Sequence, residues 1–202
     1  MTVEQLVGEA LLDLVEVDDG YTATHSRSVV ELAVAVADEL GLDGESRRQL
    51  QIAALLHDVG KIAIPKEVLN KPARLTEEEF ELVKSHTIEG QALLAWAGER
   101  LARIGELVRS CHERWNGTGY PDGLAGEAIP VVARIVFCCD AYSAMTTDRP
   151  YRRALSAETA LVELRRNSGT QFEPRVVDAM HLILTREHQA GIFGTASRSV
   201  FV

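Results

Sequence analysis

The spacing of apolar side chains constrains the fold of this chain more than any other feature. Apolar residues recur at intervals of three and four along most of the 202 residues, and no segment alternates convincingly between apolar and polar side chains. The run HSRSVVELAVAVADEL over residues 25–40 is apolar on most faces, which is typical of a central helix buried by its neighbours. The sequence therefore predicts an all-α fold, a helical bundle formed by one domain.

Capping signals and apolar spacing together predict the other helices. Thr76 followed by Glu79 is a capping-box pattern, Ser156 is suited to an N-cap, and Pro174 is suited to a first helical turn. We predict helices over residues 2–17, 25–40, 45–58, from 76 through His86, 99–115, 131–146, 156–167 and 174–185.

The predicted domain organisation follows the break at residues 18–20 and the end of the helical pattern. Residues 1–19 are predicted to form an N-terminal helix that could pack on the domain or mediate a homodimer. Residues 20–185 are predicted to form the folded domain, and residues 186–202 a C-terminal tail. No repeat, low-complexity tract or linker indicates a second folded domain.

Composition excludes several classes of protein. The formal net charge of -9 argues against broad binding to DNA or RNA, because phosphate is repelled unless a local basic patch overrides it. The three cysteines form no spaced framework, which favours a reduced compartment without disulfides. No apolar stretch approaches the ~18 residues of a membrane span, and the N-terminus lacks the basic start of a signal peptide. We therefore expect a cytoplasmic protein that binds neither membranes nor nucleic-acid polymers.

The stretch HDVGK, residues 57–61, places a metal-ligating imidazole, a carboxylate and an ammonium at a predicted helix end. An ionised carboxylate in apolar surroundings is costly unless it is paired or bound to metal, and the run IAALL before Asp58 is typical of a protein core. The alternative is a simple helix C-terminus in which Asp58 is exposed and Gly60 supplies the stop.

Other polar residues stand where the helical pattern calls for apolar ones. A lone histidine on an apolar face is usually a hydrogen-bonded core residue, so no single case indicates a ligand. Several on separate predicted helices are harder to explain as core residues, and imidazole with carboxylate suits iron, manganese or zinc. Six such side chains could hold two ions, with Asp58 as the bridge: His25, His57, Asp58, His86, His112 and Asp140.

Four motifs together resemble the HD-GYP branch of the HD-domain phosphohydrolases. They are HDVGK, SHTIEG around His86, CHERWNGTGYPDGL over residues 111–124, and DRPYR over residues 148–152. The likeness covers roughly residues 20–185. It implies an all-helical HD domain with a metal site at its centre and two divalent ions, iron or manganese before zinc. The implied activity is hydrolysis of cyclic di-GMP to pGpG or GMP by attack of a metal-bridging hydroxide.

The resemblance also implies roles for individual residues. The first ion would bind His25, His57, Asp58 and Asp140, and the second Asp58, His86, Cys111 and His112. Asp58 and Lys61 would be catalytic, with Lys61 offsetting charge on the reacting phosphate or protonating the leaving oxygen. Tyr120 would stack on a guanine, and Arg149 and Arg152 would contact substrate phosphate.

Three departures from the family pattern matter. Cys111 stands where the family has histidine, and it is either a thiolate ligand or a small buried core residue. Ser143 stands where an acidic residue is usual, which could alter base recognition, and Tyr21 replaces a glutamate of the three-metal members. Two rival functions therefore stay open: a weakened cyclic-dinucleotide-binding signalling module, and a phosphohydrolase of another nucleotide.

Overall fold

The computed structural model describes residues 20–148 and 153–189, with side chains for residues 25–148 and 153–186. Within these ranges the chain folds into helices joined by loops, which confirms the predicted all-α class. Two 3₁₀ turns, Val59–Ala63 and Gly126–Ala128, lie between helices. The helices are α1 Gly20–Glu39, α2 Gly44–Leu56, α3 Lys66–Leu69, α4 Glu77–Lys84, α5 His86–Trp96, α6 Glu99–Arg109, α7 Val131–Thr146, α8 Ala157–Arg166 and α9 Pro174–Gln189.

Helix α1 lies at the centre of the bundle, as its sequence predicts. It packs against α2, α7 and α9, while α2 also contacts α6 and α7. The α1 residues Val29, Ala33, Val36 and Ala37 are fully buried, so small apolar side chains allow the neighbouring helices to approach closely. Helices α5 and α6 pack against each other, and the 3₁₀ turn at Val59–Ala63 packs on α5.

Several predicted helix ends are confirmed. Thr76 accepts a hydrogen bond from the amide of Glu79, whose side chain accepts from the amide of Thr76, so the capping box is complete. Ser156 caps α8 through the amide of Thr159, and Pro174 begins α9. Helix α9 runs to Gln189, four residues into the predicted tail.

Two predicted helices end or break earlier than expected. The helix predicted over residues 99–115 ends at Arg109, because the amides of Ser110 and Cys111 bond carbonyls three residues back and tighten the chain into a turn. The helix predicted from residue 76 divides at Ser85, whose hydroxyl donates to the Leu82 carbonyl. His112 therefore lies in a turn, not on a helix face.

Some predictions lie outside the described residues: the helix over residues 2–17, the N-terminal segment 1–19, the substrate contacts of Arg149 and Arg152, and most of the predicted tail. The side chain of Tyr21 is likewise not described. No helix in the described part of the chain is long and apolar enough to cross a membrane.

Candidate metal centre

The six predicted imidazole and carboxylate ligands come together at the centre of the bundle. Helix α1 supplies His25, the end of α2 supplies His57 and Asp58, and α7 supplies Asp140. The first residue of α5 is His86, and His112 follows α6 in the turn. Segments far apart in the sequence thus converge on one buried point.

Asp58 belongs to two groups of ligand atoms. In the first group, ligand atoms of His25, His57 and Asp58 all lie within 4.8 Å of one another. In the second, the same holds for Asp58, His86 and His112. Asp58 therefore lies between the two groups, and its bridging role stays a prediction.

The turn after α2 buries Asp58. Helix α2 ends at Leu56, His57 caps it, and a 3₁₀ turn begins at Val59. Asp58 is only 7% exposed, which excludes the alternative of an exposed helix terminus.

Gly60 lies within the 3₁₀ turn and has no positive φ, so it does not act as a left-handed cap of α2. A Cβ atom at Gly60 would clash with the carbonyl oxygen of His86 and the amide nitrogen of Gly90. The glycine therefore allows the turn to lie directly on the start of α5, and this close approach sets Asp58 beside His86.

The first group is oriented by hydrogen bonds on the outer ring nitrogens. His57 Nδ1 donates to the Ala54 carbonyl over 2.8 Å, and His25 Nδ1 lies 2.9 Å from the Ser143 hydroxyl. The His25 Nε2 atom is 2.9 Å from Asp140 Oδ1, and His57 Nε2 is 3.8 Å from the same oxygen. Fixing Nδ1 in this way aims Nε2 inward, as in protein sites where a second residue orients a ligating histidine.

The second group is formed around Asp58 Oδ1, which lies 3.5 Å from His86 Nε2. His86 Nδ1 donates to the Val83 carbonyl over 2.6 Å. The rings of His86 and His112 have centroids 4.8 Å apart. The two imidazoles therefore face the carboxylate from neighbouring positions.

Four buried atoms at this centre have no hydrogen-bond partner in the described structure: His57 Nε2, Asp58 Oδ1, His86 Nε2 and His112 Nε2. Folded proteins rarely leave buried polar atoms unsatisfied. Imidazole nitrogens with a carboxylate oxygen are a donor set that suits divalent iron, manganese or zinc. The residues present therefore fit a metal centre.

Electrostatics keep the carboxylates ionised and the second group of histidines neutral. Burial opposes ionisation of Asp58 and Asp140, but Lys61 and His57 hold the pKa of Asp58 well below its usual range. The hydrogen bond from His25 and the charge of His57 lower the pKa of Asp140 to about 2. Burial lowers the pKa of His86, and burial beside His86 lowers that of His112 to about 3. Neutral imidazole is the form that binds metal.

The pKa of His57 is shifted in the opposite direction from those of His86 and His112. Burial alone would lower its pKa, but the Asp58 and Asp140 carboxylates outweigh burial and raise it to about 9. The metal-free protein thus holds a proton on His57 at pH 7.5, and an ion that binds there must displace it. Metal affinity should rise with pH up to about 9 and then level off.

We expect Mn(II) binding at pH 7.5 to release about one proton per chain from His57. Calorimetric titrations of the metal-free protein in Tris and in a sulfonate buffer of low ionisation enthalpy would measure it. The apparent binding enthalpy should differ between the buffers at pH 7.5 and converge near pH 9.5. Equal enthalpies at pH 7.5 would contradict the protonated state of His57.

Cys111 is not brought into either group. Its thiol lies 3.4 Å from the Leu107 carbonyl of α6 and is buried, and burial raises the thiol pKa far above its ordinary value. A buried thiol that donates to a carbonyl of the preceding helix and stays protonated behaves as a core residue. The structure therefore favours the second interpretation of Cys111 over the predicted metal ligand.

We expect Cys111→Ala to retain the metal content of the unmodified protein. The loss of a buried sulfur should cost about 1 kcal/mol of unfolding free energy through the cavity it leaves. Metal analysis and thermal unfolding would measure both effects, with Cys138→Ala as a matched buried control on α7. If Cys111→Ala loses one ion and Cys138→Ala does not, Cys111 is a thiolate ligand of that ion.

The predicted substrate-binding residues lie at the edge of the centre where they are described. Lys61 Nζ donates to Asp58 Oδ2 over 2.5 Å, and its side chain is 34% exposed. Tyr120 stacks on His112, with ring centroids 5.2 Å apart and planes 11° from parallel. Ser143, noted in the sequence as a departure, bonds His25 and thereby orients a predicted ligand.

Sequence reasoning missed Glu113. This residue is 2% exposed, and its Oε1 accepts the amide of Asp122 over 2.7 Å. The only signal was its place between His112 and the glycine-rich segment, since a charged residue there is expected to be exposed. The Ala54 and Val83 carbonyls that orient the histidines carry no sequence signal, because any residue supplies a carbonyl.

Comparison with known proteins decides the family. A model of the HD domain family matches residues 9–176. This chain belongs to the HD domain family. The resemblance to the HD-GYP branch is confirmed by this match together with the relatives and structural neighbours.

Two curated relatives and one solved structure illustrate the similarity of this HD domain chain. The cyclic di-GMP phosphodiesterase response regulator RpfG of Xanthomonas campestris pv. campestris is 43% identical over 185 residues, which are 91% of this chain and 49% of the relative. The 3'3'-cGAMP-specific phosphodiesterase 1 of Vibrio cholerae is 35% identical over 182 residues, 88% of this chain and 42% of that protein. The HDG"Y"P protein Bd1817 of Bdellovibrio bacteriovorus superposes with a TM-score of 0.65 at 23% identity, covering 81% of this chain and 52% of that chain. The chain thus spans about half the length, or less, of the curated relatives it matches.

Proposed function

We propose that this HD domain is a metal-dependent phosphodiesterase that hydrolyses cyclic di-GMP to pGpG or GMP. The observation that carries the proposal is the set of four buried atoms without partners, Asp58 Oδ1 and three imidazole nitrogens, at the centre of the bundle. A relative with 43% identity is named as a cyclic di-GMP phosphodiesterase, which supports the substrate class.

The proposed ligands follow the two groups of donor atoms. His25, His57, Asp58 and Asp140 would hold one divalent ion, and Asp58, His86 and His112 would hold the other. Iron or manganese is proposed before zinc, since open positions are required and oxygen and nitrogen ligands are present. When bound, such ions supply a water nucleophile at neutral pH and stabilise charge on a phosphate.

The chain's own residues bind and orient the substrate. Lys61 is held by Asp58 at the edge of the centre, and its partly exposed ammonium is suited to an anionic phosphate. In a protein of net charge -9 such a local cation matters, because the remaining surface repels anions. The phosphate contacts of Arg149 and Arg152 stay predictions, as do the stacking of Tyr120 on guanine, the cytoplasmic location and the homodimer.

One observation favours a second candidate function, a module that binds cyclic dinucleotide without turnover. The Cys111 thiol donates to the Leu107 carbonyl and is not among the second group of ligand atoms, so the second ion would have three protein ligands instead of four. A more weakly bound second ion would reduce hydrolysis without removing the residues proposed to bind the substrate.

Product analysis separates these functions. The protein would be loaded anaerobically with Fe(II) or Mn(II), incubated with cyclic di-GMP or 3'3'-cGAMP, and the products separated by chromatography. Metal-dependent pGpG or GMP from cyclic di-GMP, absent with Asp58→Asn, supports the proposal. Cleavage of 3'3'-cGAMP without cleavage of cyclic di-GMP would show that the substrate is a different cyclic dinucleotide from the one proposed. Binding without cleavage by both the native chain and Cys111→His would establish the binding module.

A further inference from the structure

His112 is oriented differently from the other three histidines of the centre. His25, His57 and His86 each have Nδ1 hydrogen-bonded, to a hydroxyl or to a backbone carbonyl. The Nε2 atom of His112 is buried in the second group and has no hydrogen-bond partner in the described part of the chain. The ring itself contacts the rings of His86, Tyr120 and Phe137.

The packing partner is Tyr120. The two rings are nearly parallel, 11° apart, with centroids separated by 5.2 Å, while Phe137 meets His112 edge-on at 6.1 Å. A parallel, offset stack resists rotation about the imidazole χ2 bond, because tilting the ring would break contact across its whole face. One face of the Tyr120 ring is thus packed against His112.

The loop that carries Tyr120 is anchored from two sides. Glu113 accepts the amide of Asp122, and the amides of Gly123 and Leu124 also face its carboxylate. Arg109 makes two 2.7 Å bonds to the carboxylate of Asp122, closing the loop onto the end of α6. The hydrogen bond from the Asp122 amide to a buried carboxylate and the ion pair from Arg109 to Asp122 together restrain this loop.

We propose that Tyr120 is a positioning residue that aims His112 Nε2 at the second metal position, and that Glu113 holds the loop that makes this possible. The proposal rests on the proposed function, because it requires the second group to bind an ion. It gives Tyr120 a role inside the metal centre that is separate from contact with a base. Removal of a residue that orients a metal ligand typically costs 10- to 100-fold in metal affinity.

The test compares Tyr120→Leu with Tyr120→Phe. Titration of metal-free protein with Mn(II), followed by electron paramagnetic resonance of free Mn(II), measures both affinities. We expect Tyr120→Phe to bind both ions like the native chain, since the stack is kept. We expect Tyr120→Leu to retain the first ion and to bind the second about 10- to 100-fold more weakly.

A second measurement needs no metal. NMR spectra of the metal-free protein should show the His112 ring protons shifted upfield by the Tyr120 ring in the native chain and in Tyr120→Phe. The shift should vanish in Tyr120→Leu. Glu113→Ala should also lower the affinity for the second ion. Glu113→Gln should lower it less, because the amide oxygen of glutamine still accepts a hydrogen bond from the loop.

The outcomes distinguish this proposal from the proposed function. If Tyr120→Leu binds both ions normally, or if its His112 shifts match the native chain, the positioning role is overturned. A raised KM with unchanged metal binding would leave Tyr120 as a base platform only. If the native chain cleaves no cyclic dinucleotide while Tyr120→Leu selectively loses the second ion, the proposed function fails and the positioning role stands. Unchanged metal binding in Glu113→Ala would overturn the part assigned to Glu113.

Discussion

Asp58→Asn is expected to remove both metal ions and to reduce hydrolysis by at least ~10³-fold. The carboxylate of Asp58 contributes to both groups of ligand atoms, and an amide offers one neutral oxygen where two charged ones are needed. Bound ions contribute several kcal/mol to transition-state stabilisation, and each 1.4 kcal/mol corresponds to about a factor of ten in rate. Metal analysis after gel filtration and product chromatography would measure the two losses.

The matched control for this variant is Asp38→Asn. Asp38 is an exposed carboxylate 2.7 Å from Arg47, so its replacement removes the same charge without touching the centre. Exposed ion pairs contribute little to stability, and this control should behave like the native chain. Full metal content in Asp58→Asn would show that Asp58 does not bridge the two ions.

Gly60→Ala is expected to destabilise the fold by about 3 kcal/mol, the upper part of the usual range for overpacking. The added methyl group would meet backbone atoms of His86 and Gly90, which cannot move as the end of a flexible side chain can. For a domain of this size the loss corresponds to a fall in Tm of roughly 6 to 12 °C. Because the 3₁₀ turn must shift away from α5, metal affinity should fall as well.

Gly44→Ala provides the comparison for Gly60→Ala. A Cβ at Gly44 would lie 3.8 Å from a guanidinium nitrogen of Arg48, an ordinary contact at the start of α2. Alanine there is expected to be neutral or stabilising by a few tenths of a kcal/mol. Thermal unfolding of both variants, with and without Mn(II), would measure the difference. A Tm for Gly60→Ala equal to that of Gly44→Ala would contradict the close approach of the turn to α5.

Much of the helical architecture could be predicted from local signals. The buried face of α1 follows from apolar spacing alone, and Thr76 and Ser156 mark helix starts because their side chains bond nearby amides. The ends of α4 and α6 could not be predicted in the same way. They depend on which carbonyl groups accept hydrogen bonds from the amides of Ser85 and Ser110. At these positions an α-helical turn and a 3₁₀ turn differ little in local energy.

The ligands of the candidate centre were predictable as residue types, and their roles were not. Histidine and aspartate on apolar faces indicate buried polar groups wherever they occur, so the six candidates could be selected without coordinates. Whether Cys111 joins them depends on the direction of its side chain, which turns to the Leu107 carbonyl after the helix tightens. A residue type cannot specify that direction.

The sequence by itself determined the all-α class, most helix positions, the set of candidate histidine and aspartate ligands and the family resemblance, because these depend on periodicity, capping and side-chain chemistry that are local to the chain. Only the tertiary structure decided that Gly60 serves close packing, that Glu113 is buried and that Tyr120 covers His112. Each of these depends on contacts between segments, and local sequence contains no information about which backbone atoms will lie a few ångströms away.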